Sequence, residues 1–348
     1  MIYHSLPLLG FLVVAMFGVF SSPNARTWKN TDGQTIEAEL VRVESANAIL
    51  RMHGRTYRVP VASLSQADRD YLQARETEQR KAAATRRSAH SDGVEAVGLT
   101  TGKKGYCLSL RRYTDWRERL QALDVDWFYN WTAREVDSVP GGIEFVPMVT
   151  GNAMNVFRSR ARLEAGDSAS IAYVLTHNEP DAKKQANRSV EEVLDEWPSL
   201  MELGKPLISP GTVNPENEWM ESFMQGIEER DYRVDYIAVH SYGGSNPRGF
   251  LNKLERVHEK YGRPIWITEF GVGDWQAETP DDNRHSPKQV LKFMREVLPE
   301  LEKRDYIHRY AWFAATLDNP ALATSALFDE SGQLTPLGEF YAEHRSSN

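Results

Sequence analysis

The chain has 348 residues, 41% hydrophobic and 10% aromatic, enough to bury one large core and a small second one. A formal net charge of −8 excludes a general electrostatic affinity for nucleic acid or anionic membrane, which requires a basic surface. The single cysteine, Cys107, excludes an intramolecular disulfide, and its strand-like setting GYCLSL marks it as a small buried apolar residue rather than a reactive thiol.

In chain order, residues 1–25 read as a signal peptide. The apolar run LPLLGFLVVAMFGVF (6–20) is too short for a comfortable membrane span and is followed by the small residues Ser21, Ser22 and Ala25. Only His4 and the terminal amine supply positive charge before it, so an uncleaved anchor is the alternative. Either way the remainder is expected to be exported, as a secreted, periplasmic or cell-surface protein. Residues 27–73 read as a small β module, with turn signals at Asn30-Thr31-Asp32-Gly33 and His53-Gly54 separating alternating runs such as TIEAEL and TYRV. Three to five short strands and a short amphipathic helix after Ser63-Leu64-Ser65 are expected. In its opening RTW, its EAELV strand and its closing VPVASLSQADRDYL, this stretch resembles the SLA1 homology 1 domain family. The resemblance implies a small SH3-like β barrel that binds or tethers something and specifies no ligand; a surface or polymer is the expected anchor. Residues 74–100 are charged and small and read as a linker; the basic pairs Arg80-Lys81 and Arg86-Arg87 are a solvated face rather than a nucleic-acid patch.

From residue 101 to 345 apolar runs alternate with amphipathic segments. The runs are 105–110, 125–131, 143–149, 170–176, 206–209, 234–241, 264–270 and 308–315, and several are apolar on both faces, as buried parallel strands require. Helices are expected at 190–203, 217–230, 249–261 and 287–304. The connection at 133–142 is too short for a full helix. The expected fold is therefore α/β: a (β/α)8 TIM barrel with some reduced helices, preceded by the small β module. A doubly wound open sheet is the alternative, but no Gly-rich phosphate loop follows the first run.

Barrels of this class carry their reactive groups at the carboxyl ends of strands, and two runs end on glutamate: Glu179 in THNEPD after the fourth, Glu269 in IWITEFG at the seventh. Opposed strands can bring two carboxyl groups to the 5–5.5 Å or so that a retaining glycosidase needs, one as proton donor and one as nucleophile. Such chemistry demands that one carboxyl stay protonated while the other is ionised. Aromatic residues gather at other strand ends, and sugar rings present C–H faces that aromatic platforms bind. In VDWFYNWT, Trp127, Tyr129 and Trp131 share one face. Tyr129, Trp131, Tyr242 and Trp312 are candidate substrate contacts. His240 and Tyr242 alternate onto one face of VHSYGG, placing both to orient Glu269 or a sugar hydroxyl.

The segments VDWFYNW, IEFVPMV, THNEPD, ISPGT, DYIAVHSYG, IWITEFG, YAWFA and GQLTPLGEFY, spread over residues 105–341, together resemble glycoside hydrolase family 128, the Asl1-like β-1,3-glucanases. The resemblance implies Glu179 as general acid/base, Glu269 as nucleophile, Asn178 as a hydrogen-bond partner of the sugar 2-hydroxyl, and β-1,3-glucan as substrate. A monomer without cofactor is expected, with endo action the favoured mode and exo action left open, because loop lengths around the cleft decide between them. Ser241, between His240 and Tyr242, and His177, before Asn178, depart from the family pattern, which bears on subsite preference more than on reaction type. Two other readings compete. A non-catalytic glucan-binding barrel would keep the aromatics without the chemistry. A metal-dependent hydrolase would draw on His177, His240, His308, Asp181 and Glu269, but no HxH or HExxH spacing occurs.

Overall fold

The structure, a computed structural model, describes residues 4–5, 25–44, 47–52, 55–75, 102–134, 136–166 and 171–345. The apolar run 6–20, the His53-Gly54 turn and nearly all of the linker lie outside the described residues. The chain divides into two compact units, Met1–Glu95 and Ala96–Asn348.

In the first unit, β2 (Ala25–Lys29), β3 (Thr35–Glu44), β4 (Asn47–Met52) and β5 (Arg55–Pro60) pair antiparallel in chain order, and the two-residue β1 (His4–Ser5) lies parallel to β5. The turn between β2 and β3 forms because Asn30 Oδ1 accepts the amides of Asp32 and Gln34 while Gly33 takes a positive φ of 84°. Helix α1, residues 66–75, is fastened by Asp68, whose carboxylate accepts the Lys29 amide at 2.8 Å and pairs with Arg26 at 2.6 Å. Leu72 of α1 joins Trp28, Ala38, Leu50 and Val59 in the unit's core.

The second unit is α/β. Strands β6 (Lys104–Cys107), β7 (Trp127–Tyr129), β8 (Glu144–Phe145), β9 (Ile237–Gly243), β10 (Ile265–Val272) and β11 (Ile307–Phe313) form one parallel sheet in the order β8-β7-β6-β11-β10-β9. Isolated parallel bridges then run from one edge to the other: Ile208 with Tyr236, Val174 with Leu207, Met148 with Leu175. The fourth and fifth apolar runs thus contribute single bridges rather than ladders. Pro147 and Pro206, just before Met148 and Leu207, carry no amide hydrogen, so the bridges there cannot extend toward the amino end through them.

Helices α2 (Trp116–Leu123), α3 (Ala153–Ala165), α4 (Val190–Met201), α5 (Glu218–Glu229), α6 (Pro247–Tyr261), α7 (Pro287–Lys303) and α8 (Pro336–Glu343) surround this sheet, with no helix among the described residues between β7 and β8. Their starts follow local chemistry: Ser189 with Glu192 and Ser286 with Gln289 close capping boxes, Asn217 caps α5 and Asn246 caps α6.

Strand alternation sorts the apolar residues into two layers. Outward-facing Val174, Val239, Ile267, Tyr310 and Trp312 pack with Trp197, Phe223, Leu254 and Phe293 of the helices. Inward-facing Cys107, Trp127, Tyr129, Val146, Leu175, Ala238, Trp266 and Ala311 fill the interior. Each such large side chain is worth roughly 1.5–3 kcal/mol of burial. Cys107 is buried here, as its surroundings in the sequence suggest.

Candidate active site

Glu269 reaches the interior only because β10 bulges. Ile267 pairs with Val239 and Glu269 with His240, so β10 advances two residues where β9 advances one, and Thr268 is the extra residue. Strict alternation would have put Glu269 on the outward face with Ile265 and Ile267; the bulge turns it to the side of Trp266.

Three donors then close on the Glu269 carboxylate. The Tyr129 hydroxyl and the Trp131 indole N–H reach Oε1 at 3.1 and 2.8 Å, and the Tyr242 hydroxyl donates to Oε2. Trp131 adopts a left-handed φ of 58°, which sets its ring edge-on to Tyr129 at 5.2 Å.

Glu179 also stands in the left-handed region, at φ 41°, a strained conformation for a residue with a side chain. Its amide donates to Gly211 O at 2.7 Å and Asn178 bridges Gly211, so the following segment holds the turn. The strain aims the carboxylate at His240, whose Nδ1 lies 3.1 Å from Glu179 Oε1 and 3.7 Å from Glu269 Oε2. One oxygen of each glutamate and a ring nitrogen of His240 all lie within 4.8 Å of one another. Burial opposes a charge on His240, but the Glu269 carboxylate and the hydrogen bond to Glu179 outweigh it and hold the imidazole above its usual 6.5. The Asn178 amide donates to Thr150 Oγ1 at 2.9 Å, while its buried Oδ1 has no partner.

Glu179, Glu269, His240, Tyr242, Tyr129 and Trp131 therefore meet in one place. Trp312 does not join them. It is fully buried on the outward face, its N–H donating to Ser325 O at 2.8 Å and its ring edge-on to Phe270, so it is no substrate contact. The residue that does face the site from β11 is its neighbour Phe313, half-buried, 6.1 Å from Trp131 and 5.2 Å from Tyr242 between ring centroids. Alternation identifies two faces of YAWFA without saying which is inward. Gly211, within ISPGT, and Thr150 brace the site, roles that sequence reasoning assigns to neither.

Of the residues considered as metal ligands, His177 lies against Glu196 of α4 and His308 stacks on Trp266, both away from the glutamates. Asp181 accepts from Asn217 and the Val213 amide. Glu179, His240 and Glu269 could each offer one atom to a cation. The lone pairs of Glu269, however, already serve three N–H and O–H donors, a set that suits a hydrogen-bonded carboxylate better than a metal ligand.

The family profile "Glycosyl hydrolase catalytic core" matches residues 109–341. Alkali-sensitive linkage protein 1 of Schizosaccharomyces pombe is 29% identical over 228 residues, 62% of this chain, and the chain spans only 40% of that relative's length. An endo-β-1,3-glucanase of family 128, subgroup I, from Amycolatopsis mediterranei, solved in complex with laminaritriose, is 30% identical and superposes with a TM-score of 0.59 over 69% of this chain and 98% of its own. A subgroup VII oligosaccharide-binding protein from Trichoderma gamsii shares the fold, at 18% identity and a TM-score of 0.56, covering 70% of this chain and 93% of its own. The chain belongs to the glycosyl hydrolase catalytic core family, within glycoside hydrolase family 128.

Proposed function

We propose that the second unit is a (β/α)8 barrel acting as a retaining, endo-acting β-1,3-glucanase. The observation that carries this reading is the placement of oxygens of Glu179 and Glu269 within 4.8 Å of each other, close to the separation of about 5–5.5 Å that double displacement uses and short of the 6.5–9.5 Å or so that leaves room for an inverting enzyme's water. The substrate rests on the subgroup I relative at 30% identity, whose structure holds laminaritriose.

Glu269, oriented by Tyr129, Trp131 and Tyr242, is the nucleophile that attacks the anomeric carbon. Glu179 has the more exposed side chain, 16% against 6%, and is the acid that protonates the departing glycosidic oxygen, then the base that takes a proton from the incoming water. A hydrogen bond from the sugar 2-hydroxyl to Asn178 would offset the cost, about 1–3 kcal/mol, of that side chain's unpaired acceptor. His240 spans the two carboxylates and keeps them apart in orientation. No cofactor enters this scheme, and the acting species is a monomer. Export through residues 6–20, and tethering to a surface or polymer by the N-terminal unit as an SLA1 homology 1-like module, are part of the same proposal.

The test is to incubate wild type, Glu179→Gln and Glu269→Gln with linear β-1,3-glucan oligosaccharides and follow the anomeric configuration of the first products by NMR. β products, lost in both variants, are expected. Initial α products would mean inversion and remove the nucleophile role of Glu269. Binding without cleavage in wild type would favour the second reading, a non-catalytic glucan-binding barrel.

A further inference from the structure

Nine tryptophans occur in the chain, and Trp275 alone is exposed, at 65%. It follows Glu269 by six residues, just beyond β10. Exposure here does not come with freedom. The indole N–H donates to Tyr242 O at 3.1 Å and the ring meets Tyr242 edge to face at 5.9 Å, the same Tyr242 whose hydroxyl holds Glu269. The next residue back, Asp274, has a side chain only 4% exposed that accepts the amides of Gln276 and Arg284 at 3.2 and 3.0 Å and pairs with the Arg284 guanidinium, while its own amide donates to Ala321 O. The loop is thus nailed on both sides of an indole whose one polar group is spent on the backbone and whose apolar surface is left in water.

A held indole binds a flat C–H face with little conformational entropy left to lose.

We propose that Trp275 is a stacking platform for a glucosyl unit of the β-1,3-glucan chain, one ring further from the scissile bond than the unit beside Tyr242, and that it makes activity depend on chain length. This rests on the glucanase reading above. With its N–H engaged, Trp275 recognises the sugar by stacking alone, so another aromatic ring can substitute for it.

The test compares wild type, Trp275→Ala and Trp275→Phe on laminaritriose and laminarihexaose, with binding measured by calorimetry in the Glu179→Gln background. Trp275→Ala is expected to raise KM and Kd for laminarihexaose about tenfold with kcat within about twofold, Trp275→Phe to recover most of the loss, and laminaritriose to be affected less. Unchanged KM and Kd for laminarihexaose, or an equal penalty on both substrates, would overturn the platform and leave the glucanase reading standing. A fall in kcat at constant KM would overturn it too, assigning Trp275 to holding Tyr242 instead. A wild-type chain that neither binds nor cleaves either oligosaccharide would remove the glucanase reading, and the platform with it.

Discussion

Gly211 lies so close to His240 that a methyl group built on its α-carbon would meet the imidazole Nε2 at 2.6 Å. The same glycine accepts the Glu179 amide, so one small residue packs against the histidine and fixes the backbone of the proposed acid at once. Gly211→Ala should force the imidazole off Glu179, lowering kcat/KM on β-1,3-glucan by about 10- to 100-fold, since displacements near 1 Å at a site cost that much. Overpacking should cost only about 1–3 kcal/mol of stability, which leaves the chain folded. Kinetics together with a thermal melt measure both; wild-type kinetics would mean that the His240 position is not needed.

Removing the Tyr242 hydroxyl takes away one of the three donors to Glu269. Tyr242→Phe keeps the ring and its contacts, so we expect kcat to drop about 10- to 100-fold with KM changing less than threefold or so, in line with the loss of one preorganised donor. Tyr129→Phe should act in the same direction through the other oxygen. Steady-state kinetics on a soluble oligosaccharide decide this, and a change confined to KM would speak against a role in orienting the proposed nucleophile.

Trp312 and Phe313 are adjacent in sequence and should behave in opposite ways. Trp312→Ala opens a cavity in the packed outer layer and should cost about 3–5 kcal/mol of unfolding free energy while leaving KM unaltered in whatever folds. Phe313→Ala, beside Trp131 and Tyr242, should weaken substrate binding at a smaller cost in stability. Urea unfolding paired with KM separates the two; a raised KM in Trp312→Ala at full stability would restore it to the site.

Stability should peak near neutral pH, because buried histidines pull from both sides. Burial, aided by Arg188 for His177 and by Arg309 and Lys103 for His308, lowers both imidazoles to about 3. Their folded values lie below the unfolded 6.5, so the unfolded state binds more protons in between. The contribution is complete above about pH 6.5 and is lost as pH falls toward 3, at up to about 1.4 kcal/mol per pH unit for each. His240 is shifted the other way, so its contribution is complete below about pH 6.5 and fades as pH rises through its folded value. Urea unfolding between pH 4 and 9 or so maps both limbs. His177→Leu, which also removes two ring nitrogens without hydrogen-bond partners, should flatten the acid limb; an unchanged limb would contradict the assignment.

The elements most legible in the sequence are those with caps and wide apolar stripes. Residues 217–230 read as a helix, and α5 is Glu218–Glu229 between Asn217 and Arg230, because an Asn N-cap precedes a face that buries Met220, Phe223, Met224 and Ile227. Helix α3 starts on the same kind of cap, Asn152, but lacks the stripe. It buries only Val156, Ser159 and Leu163 while Met154 and Phe157 stay exposed, so its periodicity is weak.

The chain's own residues determine which chemical groups end the apolar runs, and in what order: Asn178 and Glu179 after one, His240 and Tyr242 after another, Glu269 in a third, with aromatic residues on one face of VDWFYNWT. They also determine the parallel α/β organisation, since runs apolar on both faces need cover on both. Which face points inward was decided by tertiary structure. Alternation relates a side chain to its neighbours two residues away but has no absolute sign, and a single bulge reverses it beyond that point. Thr268 supplies that reversal on β10 and brings Glu269 to His240, whereas β11 has no such irregularity between Tyr310 and Phe313 against β6, and Trp312 remains outside.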